Sequence, residues 1–268
     1  MSTAPSLTII IPAYNEATRV GATLHAIDAY LGEGSIDAEI IVIDDGSFDD
    51  TFDVVSKVAG NISVPLSLLR YEINRGKGFA LKQGFAVARG RYVLFTDADL
   101  ATPIEQLPAL LGSVESGSDI AIGSRNLSES CINIAQPWYR VLMGKINLWL
   151  VRRIAIRVSD ATCGFKMFRG DVGQDIFARV RVSGFGFDAE SLFIAKALGY
   201  SIAEIPVLWE NKAGTSVSVV RDTVDTLVGL SSIRWNAMVR RYASASASDC
   251  EIQIWSNNVE KRVRRTDE

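Results

Sequence analysis

The chain has 268 residues, 48% of them hydrophobic and 22% charged, with a formal net charge of −3. That size and balance suit one large folded domain with appendages and exclude both a disordered chain and a basic nucleic-acid binder. Cys131, Cys163 and Cys250 fall at no metal-ligand spacing, their odd number fits a reducing compartment, and His25 as the single histidine excludes a histidine-rich metal site.

Met1 to Ser6 is too short and polar for a signal peptide, and no run of 18 uncharged apolar residues suggests a membrane span. Leu7 to Ile11 is a continuous apolar run, as in a strand buried on both faces. Pro12-Ala13-Tyr14-Asn15-Glu16 breaks it, and a helix follows with Val20, Leu24, Ile27 and Leu31 on one face and His25 off that stripe. Glu39 to Ile43 is a second strand, ending at Asp44-Asp45-Gly46-Ser47; Ser47 and Asp49 suit a turn and the cap of the next helix. Leu66 to Arg70 is a third strand, and Asn74-Arg75-Gly76-Lys77-Gly78 leads into a helix carrying Leu81, Phe85 and Ala88. Arg91 to Thr96 is a fourth strand, Ile104 to Ser116 is helical, and Asp119 to Gly123 is a fifth strand. The alternation of strand and helix argues an α/β fold, a mostly parallel sheet with helices on both faces. Ligands in such sheets bind beyond the carboxyl ends of the strands. The polar clusters at 12–16, 44–47, 74–78 and 97–99 all fall there. A dinucleotide fold is disfavoured because no Gly-x-Gly-x-x-Gly follows the first strand, and a P-loop because Gly76-Lys77-Gly78 lacks the Walker spacing.

Asp97 and Asp99 end the fourth strand one residue apart, so an extended chain would point both carboxylates the same way. Side by side they repel unless something neutralises them, and Mg²⁺ or Mn²⁺ does so, held by one or two carboxylates plus substrate phosphates. The competing reading is a turn residue and a helix cap before Pro103. Further on, 137–157 sets Trp138, Tyr139, Leu142 and Trp149 among Arg140, Lys145, Arg152 and Arg153. That composition suits a helix in a membrane interface, and equally a core helix with a basic outer face. Ala189 to Leu198 reads as a helix and Ile202 to Val207 as a strand; Thr223 to Arg241 is a long helix with the same two readings. Residues 243–268 hold little core-forming material and read as a mobile or loosely docked tail.

The motifs Ile11-Pro12-Ala13-Tyr14-Asn15-Glu16, Asp44-Asp45-Gly46-Ser47, Gly76-Lys77-Gly78 and Asp97-Ala98-Asp99-Leu100-Ala101-Thr102-Pro103 occur in an order that resembles family 2 glycosyltransferases. Gly123-Ser124-Arg125, Cys163-Gly164-Phe165-Lys166 and Phe187-Asp188-Ala189-Glu190 extend the likeness, which looks most like the polyprenyl-phosphate branch of the dolichyl-phosphate β-glucosyltransferase type. The resemblance implies a GT-A, Rossmann-like fold over residues 1–242, with 136–157 and 222–241 as amphipathic membrane-interface helices. It implies an inverting transfer of a hexose, glucose or N-acetylhexosamine, from a UDP-sugar to a polyprenyl or dolichyl phosphate. The enzyme would be cytoplasmic and peripheral on the cytosolic face of a membrane, with no nucleic-acid partner and its oligomeric state left open. Carried over, Pro12, Ala13, Tyr14 and Glu16 would hold the nucleoside, Asp44 and Asp45 the base and ribose, and Asp97, Ala98 and Asp99 the donor diphosphate with its Mg²⁺ or Mn²⁺. Lys77 would reach a phosphate or sit on a helix face, and Asp188 or Glu190 would orient a substrate group without acting as a strong base.

Three departures qualify the likeness. Ala161-Thr162 precede Cys163 where the family usually has Thr-Gln, and Gly214-Thr215-Ser216-Val217 stands where Gly-Ser-Lys-Val is common. Ala101 stands where mannosyl relatives often place a metal-binding Gln, which points toward the UDP-sugar branch. With Ser216 in place of Lys, the acceptor phosphate is left to Arg125, Arg140 and Arg221, with Lys166 behind them, unless these pair with carboxylates instead. A GDP-mannose-dependent homologue, a non-lipid acceptor, and a nucleotide-sugar-binding homologue with weak catalysis are the alternatives.

Overall fold

The computed structural model describes residues 4–132, 148–153, 155–184, 186–210, 219–244, 251–256 and 259–264. Strand β1 (Leu7–Ala13) is buried at every position. Alternation makes that possible. Ile10 enters one core with Phe85, Phe95 and Phe168, while Leu7, Ile9 and Ile11 enter a second with Leu24, Ile27 and Leu31 of helix α1 (Val20–Glu33). Strand β2 (Ala38–Asp45) divides the same way, as does β4 (Tyr92–Thr96), which sends Val93 and Phe95 to the first core and Leu94 to the second. A sheet with two apolar faces needs helices on both. Helices α3 (Lys77–Val87), α5 (Gly170–Arg179) and α6 (Phe187–Ala197) supply the first core; α1, α2 (Thr51–Ala59) and α4 (Leu107–Glu115) supply the second.

The remaining strands are β3 (Leu66–Tyr71), β5 (Ile120–Ser124), β7 (Phe165–Arg169), β8 (Ile202–Pro206), β10 (Glu251–Ser256) and β11 (Val259–Arg264), in the sheet order β11-β10-β3-β2-β1-β4-β7-β5-β8. Short β6 (Cys131–Ile132) and β9 (Leu208–Trp209) pair separately. Strands β3, β2, β1 and β4 run parallel, as do β5 and β8. Between β4 and β5 lies antiparallel β7, an element the hydropathy pattern does not announce. Its sequence is Phe165-Lys166-Met167-Phe168-Arg169, and Lys166 is wholly buried, so a charge stands where an inner strand normally presents a hydrocarbon.

Two features lie at the carboxyl half of the chain. The stretch read as a mobile or loosely docked tail carries the β10–β11 hairpin, and β10 pairs antiparallel with β3 from Gln253↔Arg70 to Ser256↔Ser67. Neighbouring side chains explain it: Ile254 packs toward the first core and Trp255 toward the second. Helix α7 (Val219–Met238) crosses the body where Gly186 meets Gly229; a Cβ on either would lie 3.1 Å from the other's Cα. Beyond it, Arg179 donates to the Tyr242 carbonyl (2.9 Å) and Arg181 to that of Arg241 (3.0 Å). The Tyr242 hydroxyl donates to buried Glu190 (2.6 Å), whose other oxygen accepts the backbone N–H groups of Arg181 and Val182 (2.9 and 2.7 Å).

Candidate active site

The loops after β1 and β2 are stitched together by side chains. Asn15 adopts φ +56°, its N–H donates to Ser47 Oγ (2.9 Å), and its Oδ1 accepts the Phe48 N–H (3.1 Å). The Glu16 N–H donates to Thr51 Oγ1 (2.8 Å) and that of Ala17 to Asp49 (3.2 Å). These bonds hold Tyr14 at the surface, half-exposed, with the Phe48 ring edge-on at 6.0 Å. Arg19, one helical turn beyond Glu16, grips that carboxylate with two bonds of 2.7 Å, and its Nη1 lies 4.0 Å from Asp99. The sequence reading missed Arg19; its spacing of three from Glu16 was the available signal.

Asp44 and Asp45 part company. Asp45 accepts from Asn74 Nδ2 (3.0 Å) and from the N–H groups of Arg75 and Gly76 (both 2.8 Å), so it shapes the loop before α3. Asp44 is fully buried, and its Oδ1 accepts the Ser47 N–H (2.9 Å). Arg70 Nε stands 3.3 Å from its Oδ2 but outside hydrogen-bonding geometry, which leaves that oxygen with an unfilled acceptor. Burial pushes both carboxyls above their ordinary range, against the donors that face them.

Strand β4 stops at Thr96, so Asp97 and Asp99 converge through a turn rather than along an extended strand. The Leu100 N–H closes the turn on the Asp97 carbonyl (3.2 Å), Leu100 takes φ +46°, and the Ala101 N–H donates to Asp99 Oδ1 (3.0 Å). Thr23 Oγ1 ties the Ala98 carbonyl to α1 (2.6 Å). Burial pushes Asp99 up, and the Asp97 charge pushes it further. Gly164 presses on Asp97 from the β7 side: a Cβ there would lie 1.9 Å from Oδ2. No side chain larger than hydrogen fits without moving that carboxylate.

Lys77 places its ammonium on Asp97, beside the carboxylate pair. Asp188 is buried, and Lys166 neutralises it while also donating to the Cys163 carbonyl (2.6 Å). Lys166 is thus enclosed and satisfied, and this corrects its inclusion among residues that meet an acceptor phosphate. Burial pushes the Asp188 carboxyl up while Lys166 and then Lys77 pull it back. Arg125 forks Asp160 through Nε (2.7 Å) and Nη2 (3.0 Å), reaches Thr162 Oγ1 (2.9 Å), and stacks over Trp209. Asp160 was not singled out in the sequence. Arg140 and Ser216 lie outside the described residues; Arg221 belongs to α7, but its side chain is likewise outside them.

The expected residues therefore gather at one edge: Pro12 to Glu16, Asp44, Lys77, Asp97, Ala98 and Asp99, with Asp45 and Asp188 supporting them from behind. A model of the family described as "Glycosyl transferase family 2" matches residues 8–177. The dolichyl-phosphate beta-glucosyltransferase of Dictyostelium discoideum is 31% identical over 245 residues, covering 87% of this chain and 75% of that protein. The Saccharomyces cerevisiae protein of the same name is 31% identical over 250 residues, 85% of this chain and 74% of that one. Among solved structures, mannosyl-3-phosphoglycerate synthase from Rubrobacter xylanophilus aligns with a TM-score of 0.65 at 18% identity, over 98% of this chain and 87% of that one. Glucosyl-3-phosphoglycerate synthase from Mycobacterium tuberculosis, in complex with Mn²⁺, UDP and glucosyl-3-phosphoglycerate, aligns with a TM-score of 0.60 at 19% identity, over 97% and 87%. The two structures share the fold, the expected Rossmann-like GT-A arrangement, and the sequence matches carry the assignment: this chain belongs to glycosyl transferase family 2.

Proposed function

We propose that this chain is an inverting, metal-dependent glycosyltransferase that moves a hexose from a UDP-sugar to a polyprenyl or dolichyl phosphate. The observation that carries the reading is the meeting of Asp97, Asp99 and Lys77 with the loops at 13–16 and 44–47. Relatives named for dolichyl-phosphate glucosylation supply the substrate classes. A divalent cation, Mg²⁺ or Mn²⁺, fits the paired carboxylates of Asp97 and Asp99 as a hard ion among oxygen donors. Among the described residues no group of three or more His, Cys, Asp or Glu is placed to hold a metal ion by itself, so diphosphate oxygens and water would complete the ion's surroundings. Once bound, the cation would offset negative charge on the departing nucleoside diphosphate.

The chain's own side chains do the rest. Asp44 and Asp45, at the end of β2, are our candidates for a base N–H or a ribose hydroxyl, and Tyr14 with Phe48 beside it offers an aromatic surface to the base. Lys77 brings positive charge to the phosphates, with Asp188 and Lys166 behind it. No strong base is needed, because a phosphate monoester with a second pKa of about 6 is mostly a dianion at neutral pH. Its oxygen attacks the anomeric carbon opposite the departing diphosphate, so the configuration inverts, and rate comes from positioning and charge. Arg125 does pair with Asp160, but unlike Lys166 its side chain stays partly exposed, and it remains our candidate for the acceptor phosphate with Arg140 and Arg221.

Among the described residues no helix is long and apolar enough to cross a membrane. Val228, Trp235, Met238 and Val239, on and just past α7, are exposed at spacings that share a helical face, and exposed Arg240 and Arg241 follow. This surface supports peripheral contact with the cytosolic face of a membrane, where a lipid-borne acceptor would be met.

A donor screen tests the proposal, with sugar-labelled UDP-glucose, UDP-N-acetylglucosamine and GDP-mannose offered with polyprenyl phosphate in vesicles. Label should enter organic-extractable lipid from a UDP-sugar, and UDP should bind at least about tenfold tighter than GDP, ~1.4 kcal/mol. Transfer from GDP-mannose alone would replace the donor, and label confined to a water-soluble product would replace the acceptor. Gly164→Ala should push the Asp97 carboxylate aside at a cost of about 1–3 kcal/mol, the usual penalty for overpacking. Mn²⁺ titration in the presence of UDP should read that as weakened metal binding; unchanged affinity would mean that Gly164 does not seat Asp97.

A further inference from the structure

Lys77 combines a clamped backbone with a long side chain. Gly76 takes φ +94°, and a Cβ would fall 2.5 Å from the Ser183 carbonyl at Gly76 and 2.4 Å from that of Val182 at Gly78. The Gly78 N–H donates to the Ser183 carbonyl (2.8 Å). Between these fixed points the backbone of Lys77 is held, and the rotatable bonds that remain are those of its four-carbon side chain. Its ammonium pairs with Asp97 Oδ1, flanked by the Phe95 and Phe187 rings at 5.9 and 5.7 Å. Asp188 is the second carboxylate acting on it, and Asp99 adds to both.

The local charge balance gives this arrangement a consequence. Glu16 and Arg19 cancel, as do Asp188 and Lys166. Asp97 and Asp99 against Lys77 then leave one net negative charge, and without Lys77 they leave two. Asp97 is also the open member of the pair, its side chain 37% exposed against 15% for Asp99. An ammonium and a divalent cation compete for that open carboxylate unless phosphate oxygens come between them.

We propose that Lys77 is the resident counter-ion of Asp97 and exchanges there with the divalent cation. Without nucleotide the ammonium holds the carboxylate and weakens metal binding. When a nucleoside diphosphate arrives with the metal, Lys77 leaves Asp97 for the phosphates, and Asp188 keeps the ammonium within the site. Metal and donor therefore load together. This inference rests on the reading of Asp97 and Asp99 as metal carboxylates.

The test is Mn²⁺ titration of the full chain, following the EPR signal of free Mn²⁺, with and without UDP. Wild type, Lys77→Met, Lys77→Gln and Asp97→Asn are compared, with thermal melting to confirm that each is folded. Both Lys77 variants should bind Mn²⁺ without UDP about tenfold tighter than wild type, and UDP should enhance their Mn²⁺ affinity less. Unchanged or weaker affinity without UDP in both variants overturns the exchange. The control separates the two ideas. If Asp97→Asn binds Mn²⁺ with UDP as wild type does, the metal reading falls and takes the exchange with it. If Asp97→Asn loses that binding while neither Lys77 variant gains, the exchange alone is wrong.

Discussion

Asparagine at Asp97 or at Asp99 is expected to cut sugar transfer by about a hundredfold or more while leaving the protein folded. The reason is charge rather than shape. Asn is nearly isosteric with Asp, so Gly164 still faces a planar group at position 97, and an Asn oxygen at position 99 can still accept the Ala101 N–H. What is lost is the anionic oxygen that would hold the cation against the donor diphosphate, an effect worth several kcal/mol at a departing phosphate. Thermal melting should change little, because Asp97 is partly exposed and its loss frees a lysine that water can reach. Turnover near wild type in either variant, or full activity of the wild type in excess chelator, would remove the metal from the reaction.

The largest effect on stability is expected at Lys166. Its ammonium and the Asp188 carboxylate face each other in the interior, with side-chain exposures of 0% and 5%. Lys166→Met keeps the length and hydrocarbon of the side chain but strands a carboxylate whose burial already disfavours its charge. Breaking a buried pair from one side costs about 3–5 kcal/mol, which for a chain of this size lowers Tm by roughly 10 °C. The double variant Lys166→Met with Asp188→Leu should recover much of that loss, because replacing both members of a buried pair by hydrocarbon is often neutral or favourable. Melting and urea titration of the three proteins check this. A single variant as stable as wild type would mean that the pair does not hold the strand in place.

Much of this was legible in the sequence because one physical pattern governs it. A strand buried on both faces needs an unbroken apolar run, and β1, β2 and β4 have one, each ending in a polar cluster that the parallel arrangement brings to the same edge. Strand β7 escaped the rule because its core-facing set includes Lys166, whose charge is balanced by the distant Asp188. Pairs separated by 20 residues or more have no local signature: Lys77 with Asp97 and Arg125 with Asp160 depend on topology. The β10 strand was hidden for another reason. Its apolar residues are few, and their value depends on an exposed β3 edge that composition cannot reveal. Asp44 and Asp45 looked equivalent as neighbours, yet alternation along β2 gives one a buried oxygen with an unfilled acceptor and the other a loop to hold.

The contacts of Tyr242 bear on how the molecule can be cut. Arg179, Arg181 and Glu190 all reach the turn at Arg241–Ala243, and Glu190 also fixes the 181–182 backbone, whose neighbouring carbonyls pack against Gly76 and Gly78. A fragment trimmed back to the sheet and its flanking helices, ending inside α7, would leave a buried carboxylate short of a donor and two arginines without their carbonyls. The loss would be felt some distance away, in the segment that seats Lys77. The hairpin beyond residue 251 joins the opposite side of the sheet and has no such tie to that loop among the described contacts. The turn at Arg241–Ala243 is thus tied to the segment that seats Lys77, whereas the hairpin is tied to the β3 edge and, through Ile254 and Trp255, to the two cores.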